Sequence, residues 1–338
     1  MPETPLHRPP TAAELERARR TVAPLSSAVA EARRAAGPGA LTLACFSDLH
    51  LHAPREYPLL GAYSTKIDAT TNTMLAFTEM NALEQRPDLV VFAGDIADSG
   101  CPGEAPHDEY VEFQRLTDAL LPADLPSLPV LGNHDHADVP MTPELHGALA
   151  RHGRYDWPPS AGPLDFYFET RRAGWRFITL DSRQIQPLGT HQLQWLEQCF
   201  AADATTPTVV LVHRPWVTVG NWVDDFRQQH WSTFELLDRT PCVKAVLSGH
   251  THKAAAWKYR QKTHVVFPSV AYGIGEPCGW GVVVLGADAV HSVFIKELTG
   301  TTYDHPSDAS SARPGSFRRL PAENYIRSPL FNPCLMPM

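Results

Sequence analysis

Residues 41–50 read LTLACFSDLH. A short apolar run breaks into a polar turn that opens with an acid, the pattern of a buried strand delivering side chains at its end. Residues 88–98, DLVVFAGDIAD, repeat it, and LPVLGNHD at 128–135 repeats it again. Helical periodicity over 68–85 and 108–121 separates the three runs. Beyond them, DFYFETRRAGWRFITLD (165–181) reads as a hairpin with Gly174 at or just after its turn, and 190–202 reads as a helix. TPTVVLVH, VKAVLSGH, THVVFPS, GWGVVVLG and AVHSVFIKEL read as further strands. Alternating strands and helices followed by mostly strands predict an α/β fold with more than one sheet.

The ends differ from this central block. Leu15, Ala18, Val22, Leu25 and Val29 form one apolar stripe at helical spacing, and Pro24 is expected to kink or split that helix. It is read as packing on the outside of the main domain, with a partner-binding helix as the alternative. From residue 307 onward the chain reads as irregular, either an ordered strap or a loose tail. Phe317, Tyr325, Ile326, Leu330 and Phe331 favour the strap. The division is therefore 1–40 as a helical extension, 41–298 as the catalytic domain and 299–338 as a proline-rich strap or tail.

Composition removes several function classes. Lys and Arg number 29 against 37 Asp and Glu, a formal net charge of −8, and no basic block offsets it, so nucleic acid is a poor partner. No stretch reaches the roughly 18 apolar residues of a membrane span. The first twenty residues lack the apolar core of a secretory signal, so a cytoplasmic location is expected. The six cysteines are scattered without a C-x-x-C pair, which argues against a disulfide framework or a cysteine zinc site. The oligomeric state leaves no mark in the sequence.

Polar clusters follow five of the strands: Asp48-Leu49-His50, Gly94-Asp95-Ile96-Ala97-Asp98, Gly132-Asn133-His134-Asp135, His213, and Gly249-His250-Thr251-His252. Side chains at the carboxyl ends of strands converge on one rim in α/β folds. The set offers carboxylate, imidazole and amide but no thiolate, in a number that suits two divalent ions of Mn, Fe, Zn or Co. In Asp48-x-His50, residues two apart on an extended segment point the same way and can reach one ion. The motif glycines belong where the backbone turns sharply or passes close to the site.

This ordered set resembles the calcineurin-like metallophosphoesterase superfamily from about residue 41 to 298. Asp181-Ser182 followed by Gln192-Leu193-Gln194-Trp195-Leu196 is similar to its bacterial cyclic-nucleotide and glycerophosphodiester phosphodiesterase branch. The resemblance implies a four-layer α/β/β/α sandwich of two mixed sheets flanked by helices. It implies that Asp48, His50, Asp95 and His252 hold one ion. Asp95, Asn133, His213 and His250 would hold the second, with Asp95 as the bridge. A hydroxide between the ions would attack phosphorus. His134 would lie beside the substrate, stabilising the transition state or protonating the leaving oxygen, and Asp135 would fix its orientation. Asp98 would support the site through hydrogen bonds, at the place where the purple acid phosphatase branch has a metal-binding tyrosine.

Two segments are expected to choose the substrate, a small phosphate ester. Residues 55–66 offer Arg55, Tyr63 and Lys66. Residues 214–231 offer Arg214, Trp216 and Trp222, with Phe226 and Trp231 nearby, as an aromatic wall or as a small satellite core. Many cyclic-nucleotide phosphodiesterases of the branch read His-His-Pro where this chain reads His213-Arg214-Pro215, a change that spares the ligand and bears on the substrate. The leading reading is a dinuclear phosphodiesterase, and a phosphomonoesterase acting on a small metabolite is its rival. A non-catalytic scaffold on the same fold would be expected to lose ligands, and none is lost here.

Overall fold

The computed structural model describes residues 11–51, 69–98, 107–135, 166–182, 188–215, 231–259, 261–272, 277–298 and 317–320. Strands β1 (Leu41–Phe46), β2 (Leu89–Phe92) and β3 (Ser127–Pro129) run parallel, as the repeated strand–helix pattern requires. β10 (Gly279–Leu285) pairs antiparallel with β1, followed outward by β11 (Val290–Glu297) and β12 (Phe317–Leu320). The first sheet thus has the order β12-β11-β10-β1-β2-β3.

The second sheet has the order β4-β5-β6-β7-β9-β8. It contains β4 (Phe168–Arg172), β5 (Trp175–Leu180), β6 (Thr208–Val212), β7 (Val243–Ser248), β8 (Ala255–Tyr259) and β9 (Lys262–Val266). β5, β6, β7 and β9 are mutually parallel, and β4 and β8 close the edges antiparallel. The β4–β5 turn is Ala173-Gly174, both at positive φ (46° and 84°), the left-handed pair that a tight hairpin needs.

Both faces of each sheet are covered, which explains strands that read as unbroken apolar runs. In β1, Leu41, Leu43 and Cys45 point between the sheets, where Val91, Phe177, Val209, Leu247, Phe267 and Val283 meet them. Ala44 and Phe46 point outward against three helices, α1 (Ala12–Ala36), α2 (Ala69–Asn81) and α3 (His107–Leu120). On the far side, α4 (Thr190–Ala202) and α5 (Trp231–Arg239) cover the second sheet through Leu196, Phe200, Leu236 and Leu237. The result is the expected four-layer sandwich.

Three local readings change. α1 is one helix through Pro24 rather than a split one. Pro24 is exposed, so the hydrogen bond it forfeits lies on the solvent side. Thr11 and Glu14 cap its start reciprocally (Thr11 N–H to the Glu14 carboxylate, 2.7 Å), and Ala18, Val22, Leu25 and Val29 are buried while Leu15 is exposed. The carboxyl-terminal region contains a strand, because Phe317–Leu320 hydrogen-bond along the edge of β11. β8 and α5 were not legible in the sequence. AAWKY has little alternation, and α5 begins inside a stretch whose tryptophans masked its short period.

His264 on β9 is buried and stacks on Trp257 of β8 at 5.4 Å. Burial and then Lys262 push its pKa down to about 4. The folded chain therefore keeps it neutral, whereas the unfolded chain takes up a proton below about 6.5. Stability is full above pH 6.5 and falls as pH drops towards 4, by at most about 3 kcal/mol from this group. Urea unfolding of His264→Gln across that window is expected to lose less stability on acidification than the wild type.

Candidate metal centre

The clusters meet where the carboxyl ends of the parallel strands in both sheets come together. Asp48 and His50 follow β1, Asp95 and Asp98 follow β2, and Asn133 to Asp135 follow β3. From the other sheet, His213 follows β6, and His250 and His252 follow β7. Backbone bonds stitch the sheets together at this rim: Val270 N–H to Ser47 O at 3.0 Å and Ala271 N–H to Asp48 O at 3.2 Å.

The imidazoles are oriented from behind. His50 Nδ1 is 2.9 Å from Asp98 Oδ1, His252 Nδ1 is 3.0 Å from the carbonyl of Tyr272, and His213 Nδ1 is 2.7 Å from the carbonyl of Ala93. Each acceptor fixes the proton on Nδ1 and leaves the Nε2 lone pair facing inward. His50 Nε2 and His252 Nε2 are 3.1 Å apart, His252 Nε2 is 3.2 Å from Asp48 Oδ1, and His213 Nε2 is 3.0 Å from Asp95 Oδ2. His50 Nε2 lies 3.8 Å from that same Asp95 oxygen. Asp48, His50 and His252 form one group whose ligand atoms lie within 4.8 Å of one another, and Asp95, His213 and His250 form a second. His134 groups in the same way with His50 and Asp95.

Three observations fit this set to divalent cations. Asn133 Oδ1 and His213 Nε2 are buried without a hydrogen bond. Asp48, His50, Asp95, His250 and His252 all have positive φ, between 42° and 72°. Among the described non-glycine residues, only Ala173 and Gln261, both in hairpin turns, share that region. Such a backbone costs on the order of 1–3 kcal/mol per residue and persists where the surroundings impose it. Finally, a Cβ at Gly132 would overlap Asp95 Oδ1, and one at Gly249 would overlap Ser47 and Asp48, so these backbones press against the carboxylates.

The electrostatics agree. Burial alone would raise Asp48, but His252 and His213 hold it at about 2. Asp95 is likewise held well below the usual range against its burial, by His213, His134 and His50. Burial opposes charge on His213, yet Asp95 raises its pKa to about 9.

One assignment needs correcting. Asp135 does not orient His134. Its Oδ1 accepts from Ile96 N–H (2.8 Å), Ala97 N–H (3.0 Å) and the Tyr110 hydroxyl (2.7 Å), and its Oδ2 accepts from Gly132 N–H (2.6 Å). It ties the loop after β2 to the loop after β3. Burial and the nearby Asp95 push it up to about 6. The His134 ring has Asp98 beside it, with Oδ1 3.7 Å from Nδ1. The His134 backbone N–H donates to Asp95 Oδ1 at 2.8 Å, and its ring meets His50 edge-on. Arg214 is buried, with Nη1 3.4 Å from His250 Nε2 and its backbone N–H on Ser182 Oγ. Gln192 brackets the backbone of Asp181 from both sides, fixing that turn. Arg55, Tyr63, Lys66, Trp216 and Trp222 lie outside the described residues. The sequence reading missed Tyr272, whose carbonyl and ring both touch the site. It lies in no motif, and no spacing flagged it.

A strand-end site of this composition, between two mixed sheets, is the arrangement of the metallophosphoesterase fold. The sequence model of the calcineurin-like phosphoesterase family matches residues 41–254, and the chain belongs to that family. The chain is 28% identical over 258 residues to a probable cyclic nucleotide phosphodiesterase of Synechococcus, covering 73% of this chain and 89% of that one. It is 26% identical over 245 residues to a glycerophosphodiester phosphodiesterase of Enterobacter lignolyticus, covering 69% and 79%. A dimetal phosphatase of Danio rerio shares the fold with a TM-score of 0.56 and 14% identity, covering 76% and 95%. No helix among the described residues is long and apolar enough to cross a membrane.

Adding the Cβ at Gly132 is expected to displace Asp95. Gly132→Ala should weaken Mn(II) or Zn(II) binding by roughly 10–100-fold in calorimetric titration, with the far-ultraviolet dichroism of the fold retained.

Proposed function

We propose that this chain hydrolyses a phosphodiester at two divalent transition-metal ions. The observation that carries the reading is the pair of adjacent three-ligand groups, with Asp95 within 3.0 Å of His213 and 3.8 Å of His50. Asp48, His50, Asp95 and His252 would hold one ion, and Asp95, Asn133, His213 and His250 the other. Such ions supply Lewis acidity at the phosphoryl oxygens and lower the pKa of water toward neutrality. Relatives named as cyclic nucleotide and glycerophosphodiester phosphodiesterases support the diester preference.

The protein's own part is placement and proton transfer. His134 is a quarter exposed, whereas His50 beside it is buried. Its imidazole would meet the substrate and give a proton to the leaving oxygen, with Asp98 Oδ1 3.7 Å from Nδ1. Arg214 adds positive charge next to His250. That charge also suits a phosphomonoester dianion, the second reading, and a bovine relative 28% identical is named a serine/threonine-protein phosphatase.

The metal-reconstituted protein should bind close to two ions per chain by elemental analysis. Asp95→Asn should lower both occupancies, because both groups share that carboxylate. Full activity with a maximum of one ion would defeat the dinuclear reading.

His134→Ala should cut kcat by about 10²–10⁴-fold while metal content stays near wild type. If His134 is the general acid, alkyl esters should suffer more than p-nitrophenyl esters, whose leaving group needs no proton. Equal losses would assign it to electrostatic stabilisation of the phosphoryl oxygens instead. Loss of an ion would place His134 among the ligands.

A further inference from the structure

The segment after β9 belongs to none of the five polar motifs, yet it is built into the site. Ser269 Oγ donates to Asp48 O (2.8 Å) and accepts from the N–H groups of Ala271 and Tyr272, both at 3.1 Å. Asn72 of α2 donates to Ala271 O at 2.8 Å. These bonds hold Tyr272 against the metal centre from the strand end, the opposite helix and the Asp48 turn. Its ring centroid lies 4.4 Å from that of His252 and 5.0 Å from that of His50. His50 is thus flanked by His134 edge-on at 4.7 Å and by Tyr272 tilted at 38°.

Exposure separates the two flanking rings from what lies behind them. Asp48, His50 and His252 are at most 4% exposed, whereas His134 and Tyr272 are only partly buried. Among the described residues around the site, Asp98, Asn133, His134, His250 and Tyr272 are partly exposed, and of these Tyr272 alone carries an apolar ring. His134 presents a polar imidazole. Tyr272 brings an apolar ring against His50 and His252 of the same group.

We infer that Tyr272 is a specificity-determining residue whose ring packs against a flat, apolar group on the phosphate ester, such as an aryl or nucleoside moiety. The inference rests on the phosphoesterase reading and adds the class of ester that the site prefers. Tyr272 is an aromatic contribution independent of residues 214–231, because it follows β9. The backbone carbonyl that orients His252 is untouched by replacing the side chain, so the packing role is separable from assembly of the site.

The test compares phenylphosphonate with methylphosphonate, which offer the same anionic head and differ by the ring. Calorimetric titration of the metal-loaded protein reads both affinities without turnover. The wild type should prefer phenylphosphonate by about three- to tenfold. Tyr272→Ala should bring the ratio close to one, and Tyr272→Phe should keep it. Methylphosphonate binding by each variant reports that the centre is assembled. An unchanged ratio in Tyr272→Ala, or no preference in the wild type, overturns the inference. Loss of preference in Tyr272→Phe equal to that in Tyr272→Ala also overturns it, assigning the contact to the hydroxyl. Failure of the wild type to bind either phosphonate would overturn the phosphoesterase reading, and this inference with it, and that result differs from equal binding of both.

Discussion

Two carboxylates, Asp48 and Asp95, are buried in one pocket, and the structure around them is arranged to offset their charge. An isolated buried carboxylate is costly, and two together repel. Here each is met by imidazoles from the opposite sheet, Asp48 by His252 at 3.2 Å and Asp95 by His213 at 3.0 Å. Backbone N–H groups add to this: His250 donates to Asp48 and His134 to Asp95. The attraction that ties the sheets together at this end is thus the same one that prepares a cation site. The five positive-φ residues Asp48, His50, Asp95, His250 and His252 all lie just past strand ends that meet here.

The sandwich supplies what this arrangement needs. A dry layer between the sheets, with Phe177, Leu211, Leu247 and Phe267 among its members, fixes the strand ends relative to one another. Helices cover both outer faces, and a buried Lys296–Glu79 ion pair at 3.1 Å, joined by the Trp280 indole, anchors α2 to β10 and β11. Within that framework, Asp48 and His252, some two hundred positions apart in sequence, come within 3.2 Å. Asp135 illustrates the division of labour: with its oxygens occupied by three backbone N–H groups and the Tyr110 hydroxyl, it shapes the loops that carry Asp95 and Asn133.

Most of the fold and the convergence of the polar clusters were legible because their signals are local. Each polar cluster directly follows an apolar run, and Gly174 marks its hairpin. The four-layer architecture came through the family resemblance and is matched by the observed layers. What was not legible depends on tertiary contact. Tyr272 lies in VAYG, with no acid or second histidine nearby to mark it, and reaches the site because Ser269 and Asn72 fold its segment inward. Asp135 sits beside His134 in sequence, which suggested a partnership, but its side chain turns into the loop backbone. Asp98 faces His134 from a different strand end. The Phe317–Leu320 strand carries two arginines and a short apolar signal, and it exists because β11 offers an unpaired edge.

Asp95 is the residue on which a two-ion site here depends. The most direct measurement is a crystal structure of the manganese- or zinc-loaded protein, with ions located by anomalous scattering. It should show two ions about 3.5–4 Å apart, one against Asp48, His50 and His252, the other against Asn133, His213 and His250, and the Asp95 carboxylate between them. A fully loaded crystal with a single ion, or with Asp95 bound to one ion and turned away from the other, would contradict it.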